Sequence, residues 1–222
     1  MTTDVSSPPS YPKAVLFDLL TALLDSWTLW NRVAGSDAMG RAWRAAYLRL
    51  TYGCGGYVDY ETLVANAAEQ VGLPASAVHA LSETWLELAP WSGAIAALDA
   101  LRPHCKLAVV TNCSERLGNL AASILPVSWD VVVTAERAGT YKPDPRPYTL
   151  ALSELDVAAK DACFVAGSSY DMFGTAACGL RTYWHNRIAL APVAGAPKAQ
   201  FVSSTLDALA PWASRFGASA HV

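Results

Sequence analysis

Short runs of β-branched and apolar residues alternate along this chain with segments of helical periodicity. The runs cover residues 14–17, 107–110, 131–134, 163–166 and 181–184. Between them, residues 95–101, 117–125 and 148–155 each place apolar side chains on one helical stripe. Strands that are joined by helices form parallel sheets, because each helix crosses back over one face of the sheet. The alternation therefore predicts an α/β fold, a Rossmann-like parallel sheet with helices on both faces.

One long stretch interrupts this alternation. Residues 26–91 show helical patterns at 41–50 and 60–71 but no convincing strand, and a glycine cluster at 53–56 predicts a turn between helices. The stretch is either an extra helical layer of the core or a cap over a site. We divide the chain into a core (13–25 and 92–222), an insertion (26–91) and a tail (1–12). The polar, proline-rich tail lacks the apolar segment of a signal peptide, so we expect it to be disordered.

Composition excludes several functional classes. The 222 residues are 53% hydrophobic, which suffices for a packed interior, and a net charge of −3 predicts no nucleic-acid partner and no anionic membrane surface. Five cysteines without a CxxC pair predict reduced thiols, with neither disulfides nor a zinc site. No apolar run reaches the roughly 20 residues of a transmembrane helix. We therefore expect a cytoplasmic protein, and no motif indicates a metal or a cofactor.

Polar residues gather where the predicted strands end. They are Asp18 after the first strand, Thr111 and Asn112 after the second, Lys142 after the third, and Ser168 and Asp171 after the fourth. Ligands of open parallel sheets bind beyond the carboxyl ends of the strands, so we expect a site at this rim. Lys142 would keep a buried Asp18 ionised and available for attack, with a structural ion pair as the alternative. Thr111, Asn112 and the free N–H groups of a helix capped by Ser114 would hold a substrate carboxylate.

Five segments carry a recognisable order of motifs. They are AVLFDLLTALLDS at 14–26, LAVVTNCSERL at 107–117, YKPDPRPY at 141–148, FVAGSSYDMFGTAACGL at 164–180 and TYWHNRI at 182–188. In this order the chain resembles the haloacid dehalogenase superfamily of hydrolases, most closely its (S)-2-haloacid dehalogenase branch. The resemblance implies a Rossmann-like core with a helical cap inserted after the first strand, which assigns residues 26–91 to the cap.

The resemblance also implies a mechanism. Asp18 would displace a leaving group from a substrate carbon to form an aspartyl ester, which water then hydrolyses. Lys142, Asp171 and Ser168 would hold that water or stabilise the charge. The remaining motif residues are Thr111, Asn112 and Tyr148, and the positions where the family lines its substrate pocket are Tyr47, Leu50, Tyr60 and Tyr170.

Two departures from the superfamily pattern argue against a phosphatase. Phosphatases need an acid–base Asp two positions after the nucleophile and a magnesium-binding acid in the fourth motif, where this chain has Leu20 and Gly167. Without that ligand, the charges of a phosphate and of Asp18 would be insufficiently neutralised. Leu20 also makes the pocket apolar, which favours displacement at carbon. We therefore expect a magnesium-independent hydrolase for a small 2-substituted carboxylic acid, with a phosphatase as one alternative.

Further departures concern the leaving group. The family's halide-receiving arginine falls at Ala46, its first-motif threonine at Ala22, and its fourth-motif serine and asparagine at Ala166 and Ser168. Arg49, one helical turn beyond Ala46, or Arg44 would supply the missing cation, and a halide would remain the leaving group. Alternatively, the enzyme opens the ring of azetidine-2-carboxylate, whose protonated nitrogen disfavours a neighbouring arginine.

A different class of function is a catalytically retired binding protein, since several family positions have become alanine. Against it, the nucleophile, the lysine and the final acid are all retained. The insertion also carries tryptophans that would form either its own core or the surface of a homodimer: Trp27, Trp30, Trp43 and Trp85.

Overall fold

A six-stranded parallel sheet organises the computed structural model, which describes residues 9–217. The strands are β1 (Ala14–Phe17), β2 (Lys106–Thr111), β3 (Val131–Thr134), β4 (Ala162–Ala166), β5 (Arg181–His185) and β6 (Phe201–Ser203). Their order is β3-β2-β1-β4-β5-β6, so β1 lies at the centre. The predicted α/β fold is confirmed, with the five predicted strands in place to within one residue. The edge strand β6 was not predicted, because three half-exposed residues carry no periodic signal.

Helices connect the strands and also form the whole insertion. They are α1 (Ser26–Val33), α2 (Asp37–Gly53), α3 (Tyr60–Gln70), α4 (Ala75–Glu83), α5 (Ala94–Leu101), α6 (Glu115–Ala122), α7 (Ala135–Ala138), α8 (Pro145–Leu155), α9 (Asp171–Ala177) and α10 (Leu209–Ala213). The insertion, α1 to α4, follows β1. Side chains of Asp25, Ser36 and Asp59 accept hydrogen bonds from backbone N–H groups in the first turns of α1, α2 and α3, which explains where these helices begin.

Both faces of the sheet are covered, as a central parallel strand requires. Val15 and Phe17 of β1 pack into one apolar cluster with the insertion, α5 and α6. Ala14 and Leu16 point to the opposite face and pack with α8. Because β1 is fully buried on both faces, the residue that follows it emerges at a fixed point of the rim.

Three of the tryptophans named above, Trp30, Trp43 and Trp85, are buried in the protein. The indole of Trp43 donates a hydrogen bond to Val64 O at 2.8 Å, and that of Trp85 donates to Leu117 O of α6 at 2.9 Å. Trp30 packs against Trp43 with ring centroids 4.6 Å apart. These three side chains therefore form part of the core, the first of the two alternatives, and a homodimer remains a prediction.

The predicted tail is partly ordered. Ser10 N donates to Ser214 O at 2.8 Å, and the ring of Tyr11 stacks on His104 at a centroid distance of 4.1 Å. The prediction of disorder is wrong for these two residues, because Tyr11 gains aromatic contact and Ser10 pairs its backbone. Residues 1–8 of the predicted tail lie outside the described residues. Within the described range, no helix is long and apolar enough to cross a membrane.

We predict that Leu16→Ala lowers the free energy of unfolding by about 2–5 kcal/mol, because it empties a fully buried position in the central strand. Chemical denaturation would measure the loss. The control is Leu86→Ala, at a position 61% exposed, which we expect to stay within about 0.5 kcal/mol of the wild type. Equal losses in both variants would contradict the assignment of β1 to the centre of the core.

Candidate active site

A small cavity opens where the central strands end. Its volume is about 70 Å³, and its polar lining includes Asp18 after β1, Thr111 and Asn112 after β2, and Lys142 after β3. Ser168 and Asp171, after β4, line it as well. Because β1 pairs with β2 and β4 in register, these strand ends lie side by side. The structure thus brings the polar strand-end residues together as the sequence predicted.

A buried ammonium joins the two carboxylates. Lys142 Nζ lies 2.9 Å from Asp18 Oδ1 and 3.0 Å from Asp171 Oδ1, and all three side chains are at most 10% exposed. Tyr148 does not line the cavity; its hydroxyl donates to Asp171 Oδ1 at 2.8 Å from behind. Lys142 is therefore the shared partner of both acids, and Tyr148 orients the second one.

These contacts shift the pKa values of Asp18 and Asp171 in opposite directions. Burial raises the pKa of Asp18, but the Lys142 ammonium and the hydrogen bonds from Thr21 outweigh it and hold the pKa below its ordinary value. Burial and the neighbouring Asp18 charge raise the pKa of Asp171 despite the attraction of Lys142. Burial would lower the pKa of Lys142, yet the two carboxylates raise it. The site therefore holds an ionised Asp18, a protonated Lys142 and a more basic Asp171.

The segment after Asp18 supplies hydrogen bonds that the sequence analysis missed. Asp18 Oδ2 accepts from Thr21 N at 2.9 Å, Thr21 Oγ1 at 2.6 Å and Ala22 N at 3.1 Å. Thr21 thus provides a hydroxyl one residue before Ala22, the position at which the resemblance placed the lost threonine. A search for hydroxyls within one residue of that position would have found it.

Asn112 lines the cavity, and its side chain also has a structural role. Its side-chain amide accepts from Lys142 N at 2.7 Å and donates to Lys142 O at 3.0 Å, so it fixes the backbone of the lysine. The helix terminus is also occupied, because Glu115 N donates to Glu136 and Leu117 N donates to Ser114. The free donor is Thr111 Oγ1, which is buried and has no hydrogen-bond partner among the described residues.

Arg44 is the one of the two candidate arginines that lines the cavity. Its guanidinium lines the cavity, donates to Ser26 Oγ at 2.8 Å and lies 4.2 Å from the ring centroid of Trp27. Within residues 9–217 it makes no ion pair with a carboxylate. The prediction of Arg49 is wrong, because that side chain is exposed and outside the cavity, and Ala46 is buried inside the insertion.

Of the predicted pocket residues, Leu20, Tyr47 and Tyr170 line the cavity. Leu50 and Tyr60 do not, so their prediction as substrate-binding residues is wrong. Leu50 is half-buried against the core, and Tyr60 is buried between Tyr47 and Trp85. The apolar and aromatic lining residues that sequence reasoning missed are Trp27, Leu48, Tyr52 and Pro143. No sequence spacing marks Trp27, Leu48 and Tyr52, because α1 and α2 present them to the cavity only after the insertion has packed on the core, whereas Pro143 directly follows the predicted Lys142.

Position 167 leaves no room for a magnesium ligand. A Cβ on Gly167 would overlap Thr21 Oγ1 and lie 2.5 Å from Ala22 N. A carboxylate side chain there would have to displace the segment that holds Asp18. The residues present therefore do not fit a magnesium ion held from this position, in agreement with the sequence.

Comparisons with known proteins match these features. A family model for haloacid dehalogenase-like hydrolases covers residues 15–185. The chain is 28% identical over 193 residues to (S)-2-haloacid dehalogenase 1 of Pseudomonas sp. (strain CBS-3). The aligned region covers 79% of this chain and 85% of that relative. It is also 28% identical over 194 residues to the (S)-2-haloacid dehalogenase of Pseudomonas sp. (strain YL), spanning 80% and 84%.

A solved structure shares the fold. It is that of L-2-haloacid dehalogenase from Xanthobacter autotrophicus with chloropropionic acid covalently bound, with a TM-score of 0.80, 20% identity, and coverage of 90% of this chain and 97% of that chain. The fold is that of an α/β protein with a Rossmann-like parallel sheet, and its polar site lies at the strand ends. The chain belongs to the haloacid dehalogenase-like hydrolase family. The curated relatives are (S)-2-haloacid dehalogenases, the branch that the motifs resemble.

We predict that Lys142→Met lowers the free energy of unfolding by about 3–5 kcal/mol at neutral pH, because it leaves two buried carboxylates without their cation. Lys142 holds the pKa of Asp18 down, so this stabilisation is present above the pKa of an unfolded aspartate, about 3.9. It is lost as the pH falls through the lower pKa of the folded protein. The deficit should therefore shrink in acid.

Denaturation at several pH values would measure this deficit. The matched control is Lys13→Met, which removes an ion pair with Asp161 whose lysine is 69% exposed. We expect it to cost no more than about 1 kcal/mol. A deficit of Lys142→Met that is as small as that of Lys13→Met would contradict the role of Lys142 as the shared partner.

Proposed function

We propose that this protein hydrolyses small 2-haloacids through an ester on Asp18 and without magnesium. The observation that carries the proposal is the charge arrangement of one cavity. An ionised carboxylate with a depressed pKa and an arginine that makes no ion pair among the described residues both line it. A buried anion can act as a nucleophile at carbon, and a desolvated cation can receive a departing anion.

The first half-reaction uses Asp18 and Arg44. Asp18 Oδ1 accepts one hydrogen bond, from Lys142, whereas Oδ2 accepts three, so Oδ1 is the freer nucleophile. Its electron pair forms a bond to C2 of the acid, and the carbon–halogen bond breaks with its electrons going to the halide. Arg44 stabilises the halide as charge develops on it. The rings of Trp27 and Trp30 beside the guanidinium keep water from competing for that charge.

Hydroxyl groups on the core side of the cavity would hold the substrate carboxylate. Thr111 Oγ1, at the end of β2, is buried and has no partner among the described residues, and Ser168 lines the cavity after β4, on the other side of β1. A substrate oxygen would satisfy Thr111, whose isolation otherwise costs free energy. Leu20 and Leu48 provide apolar contact for the carbon skeleton.

The second half-reaction uses Asp171. The Tyr148 hydroxyl fixes the orientation of its carboxylate. Ester formation removes the Asp18 charge that raises the pKa of Asp171, so Asp171 ionises more readily when it acts as a base. Asp171 takes a proton from the water that attacks the ester carbonyl. Lys142 remains protonated between the two acids and stabilises their charge.

Cavity size sets the class of substrate. The volume of about 70 Å³ is roughly half of the 150 Å³ cavity that accommodates benzene. An acid of two or three carbons with one halogen suits that volume, and an acid with a longer chain requires rearrangement of the aromatic lining. The covalently bound chloropropionic acid of the Xanthobacter relative supports this class of substrate.

Two alternatives lose support from the structure. The azetidine reading required a pocket without a nearby cation, but Arg44 lines the cavity. The phosphatase reading required an acid at position 167, where the backbone of the Thr21–Ala22 segment leaves no space for a side chain.

Single turnover of 2-chloropropionate in ¹⁸O-water tests the proposal directly. Since water attacks the ester carbonyl, we expect one ¹⁸O atom in the Asp18 peptide by mass spectrometry and none in the first molecule of lactate. The same label should appear with a chelator present, because the mechanism needs no magnesium. Label in lactate instead of in Asp18, or loss of turnover on chelation, would overturn this mechanism. Asp18→Asn serves as the inactive control.

The cation is tested by comparing two arginines of one helix. We predict that Arg44→Met slows halide release by about 10²–10³-fold, as expected when a group that stabilises developing charge is removed. Arg49→Met, five residues further along α2 and exposed, should retain wild-type rates. Chloride release under saturating 2-chloropropionate would measure both. Equal rates in the two variants, or faster turnover of azetidine-2-carboxylate by Arg44→Met, would contradict the role of Arg44 as the halide partner.

A further inference from the structure

The oxygen of Asp18 that does not attack is surrounded by donors. Thr21 N, Thr21 Oγ1 and Ala22 N all donate to Oδ2 at 2.6–3.1 Å. In the proposed ester this atom becomes the carbonyl oxygen, which gains negative charge when water adds. Donors at 2.7–3.1 Å from a developing oxyanion are the arrangement that stabilises such a charge. The Thr21–Ala22 segment is thus organised for the second half-reaction.

One side chain from the end of the insertion and one from the core fix this segment. Trp91 Nε1 donates to Thr21 O at 3.0 Å, and His185 Nδ1 lies 2.7 Å from Ala22 O. A carbonyl oxygen only accepts, so Nδ1 carries the hydrogen. His185 ends β5, is 1% exposed, and has its pKa lowered by burial, which favours the neutral ring that this bond uses. The carbonyls of Thr21 and Ala22 are therefore held while their N–H groups face Asp18.

Gly167 completes the surroundings from the opposite side. A Cβ at this position would lie 2.5 Å from Ala22 N, so only glycine lets β4 approach the segment this closely. The donors therefore have little freedom to move away from Oδ2. Donors that are fixed before the reaction need no reorganisation when charge develops, which is the source of their catalytic effect.

We propose that Thr21 and the N–H groups of Thr21 and Ala22 form the oxyanion hole for ester hydrolysis, and that His185 is the positioning residue that holds this segment through Ala22. This inference rests on the proposed function. Water oxygen bonds to Cγ of Asp18, and the carbonyl π electrons move onto Oδ2. When these electrons re-form the Cγ–Oδ2 double bond, the Cγ–Oδ1 bond breaks and the hydroxy acid departs with Oδ1. Asp171 takes one water proton and passes it to that oxygen, and the regenerated carboxyl releases the other to solvent.

The test separates the two half-reactions of the full-length protein. In single turnovers of 2-chloropropionate, chloride release reports ester formation, and the mass of the Asp18 peptide reports its hydrolysis. We expect Thr21→Val to slow hydrolysis by about 10²-fold, so that the ester accumulates, while ester formation changes far less. Thr21→Ser should recover most of the hydrolysis rate, and Thr21→Ala provides the same comparison as valine if valine prevents folding.

The chain offers a matched control in Thr28. Its hydroxyl donates to Asp25 Oδ2 at 2.6 Å with the same three-residue spacing, but neither residue lines the catalytic cavity. Thr28→Val should leave the ratio of the two rate constants unchanged. An unchanged ratio in Thr21→Val would overturn the oxyanion hole even though ester forms. Absence of any ester in the wild type would overturn the proposed function and this inference together.

His185 is tested by the same ratio. His185→Leu removes the donor to Ala22 O, and displacement of the donors by about 1 Å would slow hydrolysis by up to about 10²-fold. His185→Asn retains a donor at the position of Nδ1 and should restore hydrolysis relative to leucine. A purely structural role would lower the melting temperature without changing the ratio. That result in His185→Leu would overturn the positioning role.

Discussion

The ion pairs of Lys142 with two carboxylates are the interaction on which the rest of the site depends. Three charges lie in a crevice where each side chain is at most 10% exposed, and desolvation alone would neutralise them. They persist because the ammonium compensates both acids and because Asp18 and Asp171 accept further hydrogen bonds from Thr21 and Tyr148. Buried ion pairs of this kind seldom contribute more stability than apolar packing would. Their presence at the ends of strands is therefore better explained by chemistry.

The same three charges couple the two halves of the proposed reaction. In the resting protein the charge of Asp18 raises the pKa of Asp171. Ester formation neutralises Asp18, so this repulsion disappears while the attraction between Lys142 and Asp171 remains. Asp171 then ionises more readily, just when a base is required. The step that consumes the nucleophile thus prepares the base for the following step, without any movement of the backbone.

Most of the core could be predicted from the sequence, because its signals are local. A buried parallel strand such as β1 is a continuous apolar run, and the residue that ends it, Asp18, is necessarily at the rim. The edge strand β6 and the ordered Ser10 have no such signal, since they depend on pairing with distant backbone. The insertion was the least predictable part. The sequence of a helix does not show which of its polar side chains will face a neighbouring element. Arg44 and not Arg49 faces the cavity because of how α2 packs against the core.

The departures from the family pattern were interpreted position by position, and this explains why some of those interpretations failed. Ala22 lacks the family's hydroxyl, yet the Thr21 hydroxyl donates to Asp18. The turn after β1 directs three donors of Thr21 and Ala22 to Asp18 Oδ2. Ala46 lacks the family's cation, yet Arg44, two residues earlier on α2, reaches the cavity. What the chemistry requires is a donor or a charge at a point in space. Alanine at one position removes a function only when no neighbour in the fold reaches that point, and here two neighbours do.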